Sequence, residues 1–445
     1  MKERVFCFLL WCCLWTITSP LFAQNGIDNY ITNQMTLNHI PGFACSILKD
    51  GKLAFEGYYG YANISNQTPV APNSSFMLAS VSKTVTATAL LQLYEQGLFG
   101  LDDAINGHLP FAVHHPDYPN TPITFRQLLS HTSGIDDNWD VLLNTYVMGD
   151  SPIALGDFLA DYLTPSGSYY DANANFTNYA PQTHYAYSNV GATLCGYLVE
   201  VISNMPFNEY CNQHIFEPLC MNYTAWFLSE LDVSKVVHPY SWTGASYYDN
   251  GLYGYPDYPD GQLRTNLRSI SRFLQMYINQ GTYQGQQILL PSTINQALTI
   301  QYPSIDNTQG LTWYQVDTNW WGHNGGDDGV STQIGFNPST QTGVVVLSNS
   351  DADITDIFTQ LTIIADTIST NNKPICCNYP QPTINGNAAV CGSSDQTYTI
   401  PPIDGSSYNW TIVGGTILSG QNTNTIQVQW NSPGVGSLNV ELSNP

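Results

Sequence analysis

The sequence predicts an α+β fold: an antiparallel sheet flanked by terminal helices with a large helical insertion, followed by a C-terminal all-β sandwich. Three observations predict it. Hairpin signals stand at both ends of residues 24–370, the stretch between them reads as mostly helical or irregular, and beyond residue 383 the pattern changes to short strands with Gly-rich turns.

In chain order, residues 1–23 read as a signal peptide. Lys2 and Arg4 make a cationic start, Val5 to Ile17 is almost wholly apolar, and Ser19-Pro20 with Ala23 offers a cleavage point before Gln24. That apolar run is too short to span a bilayer, and no later stretch reaches 18 uninterrupted apolar residues. The expectation is therefore an exported protein, periplasmic, cell-surface or extracellular, with no transmembrane segment. A helical stretch near Ile27–Leu37 leads into Gly42. Phe43–Lys49 and Lys52–Tyr58 then flank Asp50-Gly51, a strong two-residue hairpin signal. Near the other end, Ser331–Phe336 and Gly343–Asn349 bracket Asn337-Pro338-Ser339-Thr340. Ile354, Ile357, Phe358, Leu361, Ile364, Ala365 and Ile368 follow on one 3.6-period face. Helices from both termini are expected to cover the sheet.

Residues 371–383, with Pro374, Pro380 and Pro382, read as a linker. Residues 384–445 read as a β-sandwich module with strands Gln396–Ile400, Ser407–Val413, Thr416–Leu418, Ile426–Trp430 and Ser437–Leu442. The chain stops within or just after a strand, as a truncated copy of a longer module would.

Composition excludes whole classes of partner. Lys+Arg 11 against Asp+Glu 34 gives a formal charge of −23, so neither a nucleic-acid footprint nor a polybasic membrane anchor is present. Charged residues are only 10%, but hydrophobic residues are 43% and aromatics 13%, content that an acidic disordered chain lacks. Loss of the leader leaves Cys45, Cys195, Cys211, Cys220, Cys376, Cys377 and Cys391, without zinc spacing. Export permits disulfides, Cys211 with Cys220 for example, although spacing alone does not settle pairing. His114-His115 with Asp117 lies in a Pro-rich loop with no partner cluster, so no metal and no cofactor are expected.

Three short constellations carry chemistry. Ser80-Val81-Ser82-Lys83 opens a helix that runs to about Gln96, with Gly97 as its stop. From Val85 to Tyr94 that helix is apolar on nearly every side and belongs in the core. A cation in its first turn opposes the macrodipole and is costly to desolvate; residues 24–445 hold only five lysines. Ser80 and Lys83 are i, i+3 neighbours on one face, and burial should lower the lysine's pKa toward that of a useful base beside a hydroxyl in need of activation. Read blandly, the pair is an N-cap serine and a snorkelling lysine. Tyr187-Ser188-Asn189 precedes a helix carrying Val190, Leu194, Tyr197, Leu198, Val201 and Ile202 at helical spacing, a placement that suits a functional group; taken alone, a Tyr-x-Asn is more often a structural tyrosine and a capping asparagine. Gly322-His323-Asn324-Gly325-Gly326 gives paired glycines by a strand, allowing close backbone approach to a ligand, or an ordinary Gly-rich turn.

In this order, Ser-x-x-Lys, Tyr-Ser-Asn and His-x-Gly resemble the serine hydrolases of the β-lactamase-related family, which includes class C β-lactamases, D-alanyl-D-alanine peptidases and relatives acting on esters. The likeness extends over most of residues 24–368 and includes Ile40-Pro41-Gly42, the segment Ile123 to Gly134, Ile215-Phe216-Glu217-Pro218-Leu219 and Val344 to Asn349. The C-terminal module resembles PKD-like or immunoglobulin-like modules appended to exported bacterial enzymes, through Tyr408-Asn409-Trp410, Gly414-Gly415 and Val428-Gln429-Trp430.

The resemblance implies a β-lactamase/transpeptidase-like fold and an acyl-enzyme mechanism. Ser80 would be the nucleophile, Lys83 and Tyr187 the proton-shuttling pair, with the identity of the base left open. Asn189 would donate to the acyl side of the substrate, and the backbone N–H groups of Ser80 and Gly326 would hold the oxyanion. His323, Asn324 and Gly325 would line the binding strand, while Arg126 and His131 fall in a segment read as scaffolding. Two departures bear on specificity. His323-Asn324-Gly325 stands where β-lactamases carry Lys-Thr-Gly, weakening the hold on a substrate carboxylate. Pro181-Gln182-Thr183, after a Tyr/Asn-rich insertion near 165–180, replaces the usual Pro-Gly. The expected activity is cleavage of an amide or ester, as a peptidase on D-amino-acid peptides or a carboxylesterase, with β-lactam hydrolysis third. The alternative is an inactive surface binding protein on the same fold. The sandwich module is expected to bind the cell surface or another protein.

Overall fold

The computed structural model describes residues 20–367, 384–386, 395–400, 407–430 and 437–443. The expected leader up to residue 19 and the expected linker at 371–383 lie outside the described residues. The chain divides into two compact units, Met1–Ile375 and Cys376–Pro445.

In the first unit, helix α1 (Pro20–Leu37) precedes strands β1 (Gly42–Lys49) and β2 (Lys52–Asn63). Asp50 and Gly51 both take left-handed φ values, 51° and 62°, as a tight two-residue hairpin turn requires. A short strand β3 (Thr68–Pro69) pairs with β2. Much later in the chain come β4 (Tyr314–Asp317), β5 (Trp320–Asp327), β6 (Val330–Asn337) and β7 (Thr342–Ser348). The sheet order is β4-β5-β6-β7-β1-β2-β3. The two ends of the unit meet at the β1–β7 pair, where Cys45 faces Val346 and Ile47 faces Val344 in antiparallel register.

Strand alternation then builds two buried faces. Phe43, Cys45 and Ile47 of β1, with Val344 and Val346 of β7, point to one side. There they meet Ile27, Ile31 and Met35 of α1 and Ile357, Phe358, Leu361 and Ala365 of the last helix, α5 (Thr355–Thr367). Ser46 points to the other side and its hydroxyl bonds that of Ser271 at 2.7 Å. Ser271 lies on helix α4 (Leu267–Ile278), whose Leu274 and Ile278 close on Gly343. Terminal helices on one face and the insertion on the other make an α+β fold with its antiparallel sheet buried on both sides.

Within the insertion, helix α2 (Ser82–Glu95) is buried from Ser82 to Leu91, and helix α3 (Asn189–Ser203) packs beside it. A 3₁₀ turn, Ala79–Val81, leads into α2. Residues 259–263 are stitched along that turn. The Leu78 N–H donates to Leu263 O at 2.8 Å, the Leu263 N–H to Ser82 Oγ at 3.2 Å, and Thr86 Oγ1 to Pro259 O at 2.6 Å. Strand β5 approaches the same turn so closely that a Cβ on Gly325 would lie 2.4 Å from Leu78 O and 2.9 Å from Ser80 N, whereas Gly326 faces open space.

The cysteine pairing that spacing leaves open is narrowed by the fold. Cys220 is disulfide-bonded, but Cys211 is a free, buried thiol, as are Cys45 and Cys195. Cys211 is turned into the core beside Trp226, where burial pushes its pKa up, so a Cys211–Cys220 bond does not form.

In the second unit, β8 (Asp395–Thr399), β10 (Gly415–Ser419) and β11 (Thr425–Trp430) form one sheet in the order β8-β11-β10. Strands β9 (Ser407–Val413) and β12 (Ser437–Ser443) form another. Tyr398, Ile400, Tyr408, Trp410, Ile426 and Val428 supply its core. The buried Trp410 indole donates to Thr423 O at 2.8 Å, which spares it an unmet donor.

Gly325→Ala is expected to destabilise the first unit by about 1–3 kcal/mol through overpacking against the turn, and Gly326→Ala to stay within about 0.5 kcal/mol of the parent. Denaturant midpoints of the two variants check the contrast.

Candidate active site

Lys83 is the centre of the site. It lies in the first turn of α2 and is 1% exposed. Its Nζ donates to Ser80 Oγ at 2.9 Å, to Asn189 Oδ1 at 2.6 Å and to the Asp260 backbone carbonyl at 2.9 Å. The Asp260 carboxylate is a further 3.7 Å neighbour, and the Tyr187 ring centroid lies 5.0 Å away. Burial acts to lower the Lys83 pKa, as the sequence leads one to expect, but Tyr187, Asp260 and Asp137 oppose it and the balance lies above the ordinary lysine value. The expected lowering is thus reversed. Desolvation was legible from the apolar helix; the surrounding carboxylates, distant in sequence, were not.

Tyr187 is fixed from behind. Ser188 caps α3, its Oγ accepting the Gly191 N–H at 2.8 Å. The Asp137 carboxylate accepts the N–H groups of Asn189 at 2.9 Å and Val190 at 3.1 Å, a favourable place for an anion at a helix N-terminus. The Ser188 N–H donates to His131 Nδ1 at 3.2 Å, and the His131 ring lies 4.4 Å from the Tyr187 ring. His131 is therefore scaffolding that forms part of the wall behind Tyr187. Arg126, by contrast, bonds Asp102 and Gln301 away from the site. The 165–180 insertion braces this wall through the Thr177 N–H to Gly134 O and the Asp136 N–H to Asn175 O, each at 2.9 Å.

Strand β5 supplies the opposite side. By alternation His323 and Gly325 face the turn that carries Ser80, while Asn324 and Gly326 face outward. His323 is buried, its ring 6.4 Å from that of Tyr187. Its Nδ1 lies 2.6 Å from Asn324 O; a carbonyl only accepts, so Nδ1 carries the proton and Nε2 is a bare acceptor. That Nε2 has no partner among the described residues. Burial, with Lys83 close by, lowers the His323 pKa to about 3. Asn324 is exposed, and its Oδ1 accepts from the Tyr314 hydroxyl at 2.7 Å. Of the eight site residues named from sequence, Ser80, Lys83 and Asn189 are joined directly by hydrogen bonds. Tyr187, His323 and Gly325 border them, Gly326 opens toward solvent, and the Asn324 side chain is committed to Tyr314.

Sequence reasoning missed the acidic groups. Burial raises Asp260 to about 7 and raises Asp257, Asp137 and Asp327 above the usual carboxylate range. Asp257 and Asp260 belong to Tyr255-Pro256-Asp257-Tyr258-Pro259-Asp260-Gly261, which reads as an ordinary turn. One signal could have pointed here, a buried lysine with no carboxylate nearby in sequence. Backbone conformation also marks the site. Ala79, just before Ser80, has φ 47°, and His131 has φ 55°; left-handed non-Gly residues cluster at functional centres.

Residues 27–367 match the Beta-lactamase family model and residues 378–445 a PKD-like domain. The chain is 24% identical over 333 residues to Protein flp of Staphylococcus aureus (strain MW2), covering 74% of this chain but 64% of that relative's length. It is 27% identical over 363 residues to Penicillin-binding protein 4* of Bacillus subtilis (strain 168), covering 74% of this chain and 73% of the other. Among solved structures, an octameric penicillin-binding protein homologue from Pyrococcus abyssi superposes with a TM-score of 0.62 at 19% identity, covering 91% of this chain and 99% of that one. FmtA from Staphylococcus aureus gives 0.61 at 19% identity, covering 79% and 88%; at such identities these likenesses speak for the fold. The family match spans well over half of the sequence, and the chain belongs to the beta-lactamase family, a fold group of serine hydrolases and penicillin-binding proteins, with a PKD-like domain behind it.

Proposed function

We propose that the protein is an exported serine hydrolase that cleaves an ester or amide through an acyl-enzyme on Ser80. The observation that carries this reading is the contact of Lys83 Nζ with Ser80 Oγ at 2.9 Å in a buried site bordered by Tyr187. In this mechanism the Ser80 oxygen attacks the substrate carbonyl, its proton passes to the Lys83/Tyr187 pair, and the same pair protonates the leaving group. Asn189, already engaged with Lys83, turns its amide N–H toward the acyl side. The N–H groups of Ser80 and Gly326 hold the oxyanion. Export is supported by the leader-like N-terminus and by the disulfide at Cys220, a bond that persists in oxidising compartments. Among the described residues no helix is long and apolar enough to cross a membrane.

The charges favour a particular substrate class. His323 is buried and neutral where a lysine would attract a carboxylate. Lys83 is already surrounded, and Arg264 is buried on the carbonyls of Gln262 and Tyr253. Asp137, Asp260 and Asp327 add negative potential. Esters and amides without a carboxylate on the leaving side fit this field better than β-lactams or peptides ending in one, and carboxylesterase activity is the favoured form.

Fluorophosphonate labelling followed by mass spectrometry should place the adduct on Ser80; a Ser80→Ala protein labelled as fully as the parent would sink the reading. In a panel of p-nitrophenyl esters, D-Ala peptides and nitrocefin, the neutral esters should turn over fastest, with Lys83→Met or Tyr187→Phe reducing kcat by about 10²–10⁴-fold. His323 should also leave a mark on stability. Its folded pKa is about 3 and its unfolded value about 6.5. Between the two, the unfolded chain binds a proton that the folded one refuses, so the fold loses about 1.4 kcal/mol per pH unit as pH falls below about 6.5. His323→Gln should remove that one-proton slope, as chemical denaturation from pH 7.5 to 4.5 would reveal.

A further inference from the structure

Two of the three hydrogen-bonding neighbours of Lys83 Nζ, Asn189 Oδ1 and the Asp260 backbone carbonyl, are pure acceptors. A neutral amine would satisfy both with its N–H groups and take the Ser80 proton on its lone pair. An ammonium would donate to all three. Distances alone suit either state, and the surroundings discriminate. Asp260 Oδ2 lies 3.7 Å from Nζ, too long for a hydrogen bond but close for an ion pair. Asp260 Oδ1 is buried with no partner among the described residues, so Lys83 is the charge that compensates this carboxylate. The backbone leaves little room for it to move away, since Pro259 O and Leu263 tether the segment to Thr86, Ser82 and Leu78.

We propose that Asp260 is a positioning residue that holds Lys83 as an ammonium and thereby assigns the proton-accepting role to Tyr187. This deepens, and rests on, the acyl-serine reading. As Ser80 Oγ bonds the substrate carbonyl carbon, its proton goes to the Tyr187 phenolate, while Lys83 keeps its three protons and stabilises that phenolate. When the C–O or C–N bond breaks, the phenol returns the proton to the leaving group. Water then attacks the acyl-serine with Tyr187 taking and returning a proton in the same way. The charged and titratable groups facing Asp260 are Lys83 from α2, Asp137 ahead of α3, Asp257 on its own turn, Asp327 at the end of β5, and the hydroxyls of Tyr146 and Tyr255. Burial raises Asp260 to about 7 and the lysine balance lies above its ordinary value, so above neutral pH the carboxylate–ammonium pair persists.

The test reads the amine directly. In full-length protein carrying ¹⁵N-lysine, the Lys83 Nζ resonance, assigned by its loss in Lys83→Gln, is titrated in the parent, in Asp260→Asn and in Asp260→Ala. Two variants guard against a folding defect peculiar to either. The Lys83 midpoint should fall by about one pH unit or more in both, roughly tenfold in the ionisation constant; a midpoint that stays put in both overturns the proposal. Fluorophosphonate acylation of Ser80 is followed in parallel across pH. Acylation slowed about tenfold in the variants, with the alkaline side of the profile moved to lower pH, supports Tyr187 as acceptor. Acylation that speeds up as the lysine becomes neutral overturns that assignment. A shifted Lys83 midpoint in a parent that is never acylated upholds the ammonium and sinks the hydrolase reading instead.

Discussion

The site is organised around one cation that has been taken out of water. An ammonium buried to 1% exposure survives only where its desolvation is offset. Around Lys83 the offset comes from separate stretches of chain: Ser80 on its own turn, Asn189 at the head of α3, Asp260 from the 258–263 turn, and Tyr187 from the loop before α3. Each must be in place for the others to be tolerable. Loss of one acceptor would leave a buried charge underpaired, while loss of the lysine would leave Asp260, Asp257 and Asp137 facing one another. The electrostatics and the geometry of the site are therefore one constraint.

That constraint explains much of the packing nearby. Helix α2 is buried from Ser82 to Leu91, which keeps water from the lysine. Asp137 both caps α3 and adds negative potential. Gly325 lets β5 close on the turn that bears Ser80. His131 and His323, both ring neighbours of Tyr187, are held neutral by burial, with Lys83 adding to the effect. A second cation beside Lys83 would raise the cost of the first, so burial and the ammonium itself keep the histidines uncharged.

Much of the fold was legible because it rests on local signals. The Asp50-Gly51 hairpin, the 3.6-period face of α5 and the strands of the second unit each follow from neighbouring residues. Ser80, Lys83 and Tyr187 each kept a structural reading one segment at a time and were named together through the resemblance carried by three short motifs in order; the fold sets Ser80 and Lys83 in contact, with the Tyr187 ring 5.0 Å from the amine. Asp260, Asp257 and Asp137 were not legible, since an aspartate in a Pro- or Gly-containing turn looks the same whether it faces solvent or a buried amine. The direction of the Lys83 shift failed for the same reason: burial is a property of one helix, whereas compensation is assembled from residues up to 177 positions away. Disulfide pairing was not legible because proximity in sequence says nothing of which way a thiol points.

The seam between β1 and β7 sets an order on assembly. Phe43 pairs with Ser348 and Lys49 with Thr342, so the middle of the sheet joins residues from opposite ends of the unit. A chain made from its N-terminus forms the β1–β2 hairpin early, yet one ladder edge of β1 stays open until β7 arrives. Closing so long a loop is entropically costly, and pairings of this range slow folding. Meanwhile the hairpin is a template for stray strands. The candidate site is then completed late, because β5 reaches the Ser80 turn only as part of the sheet that this seam completes.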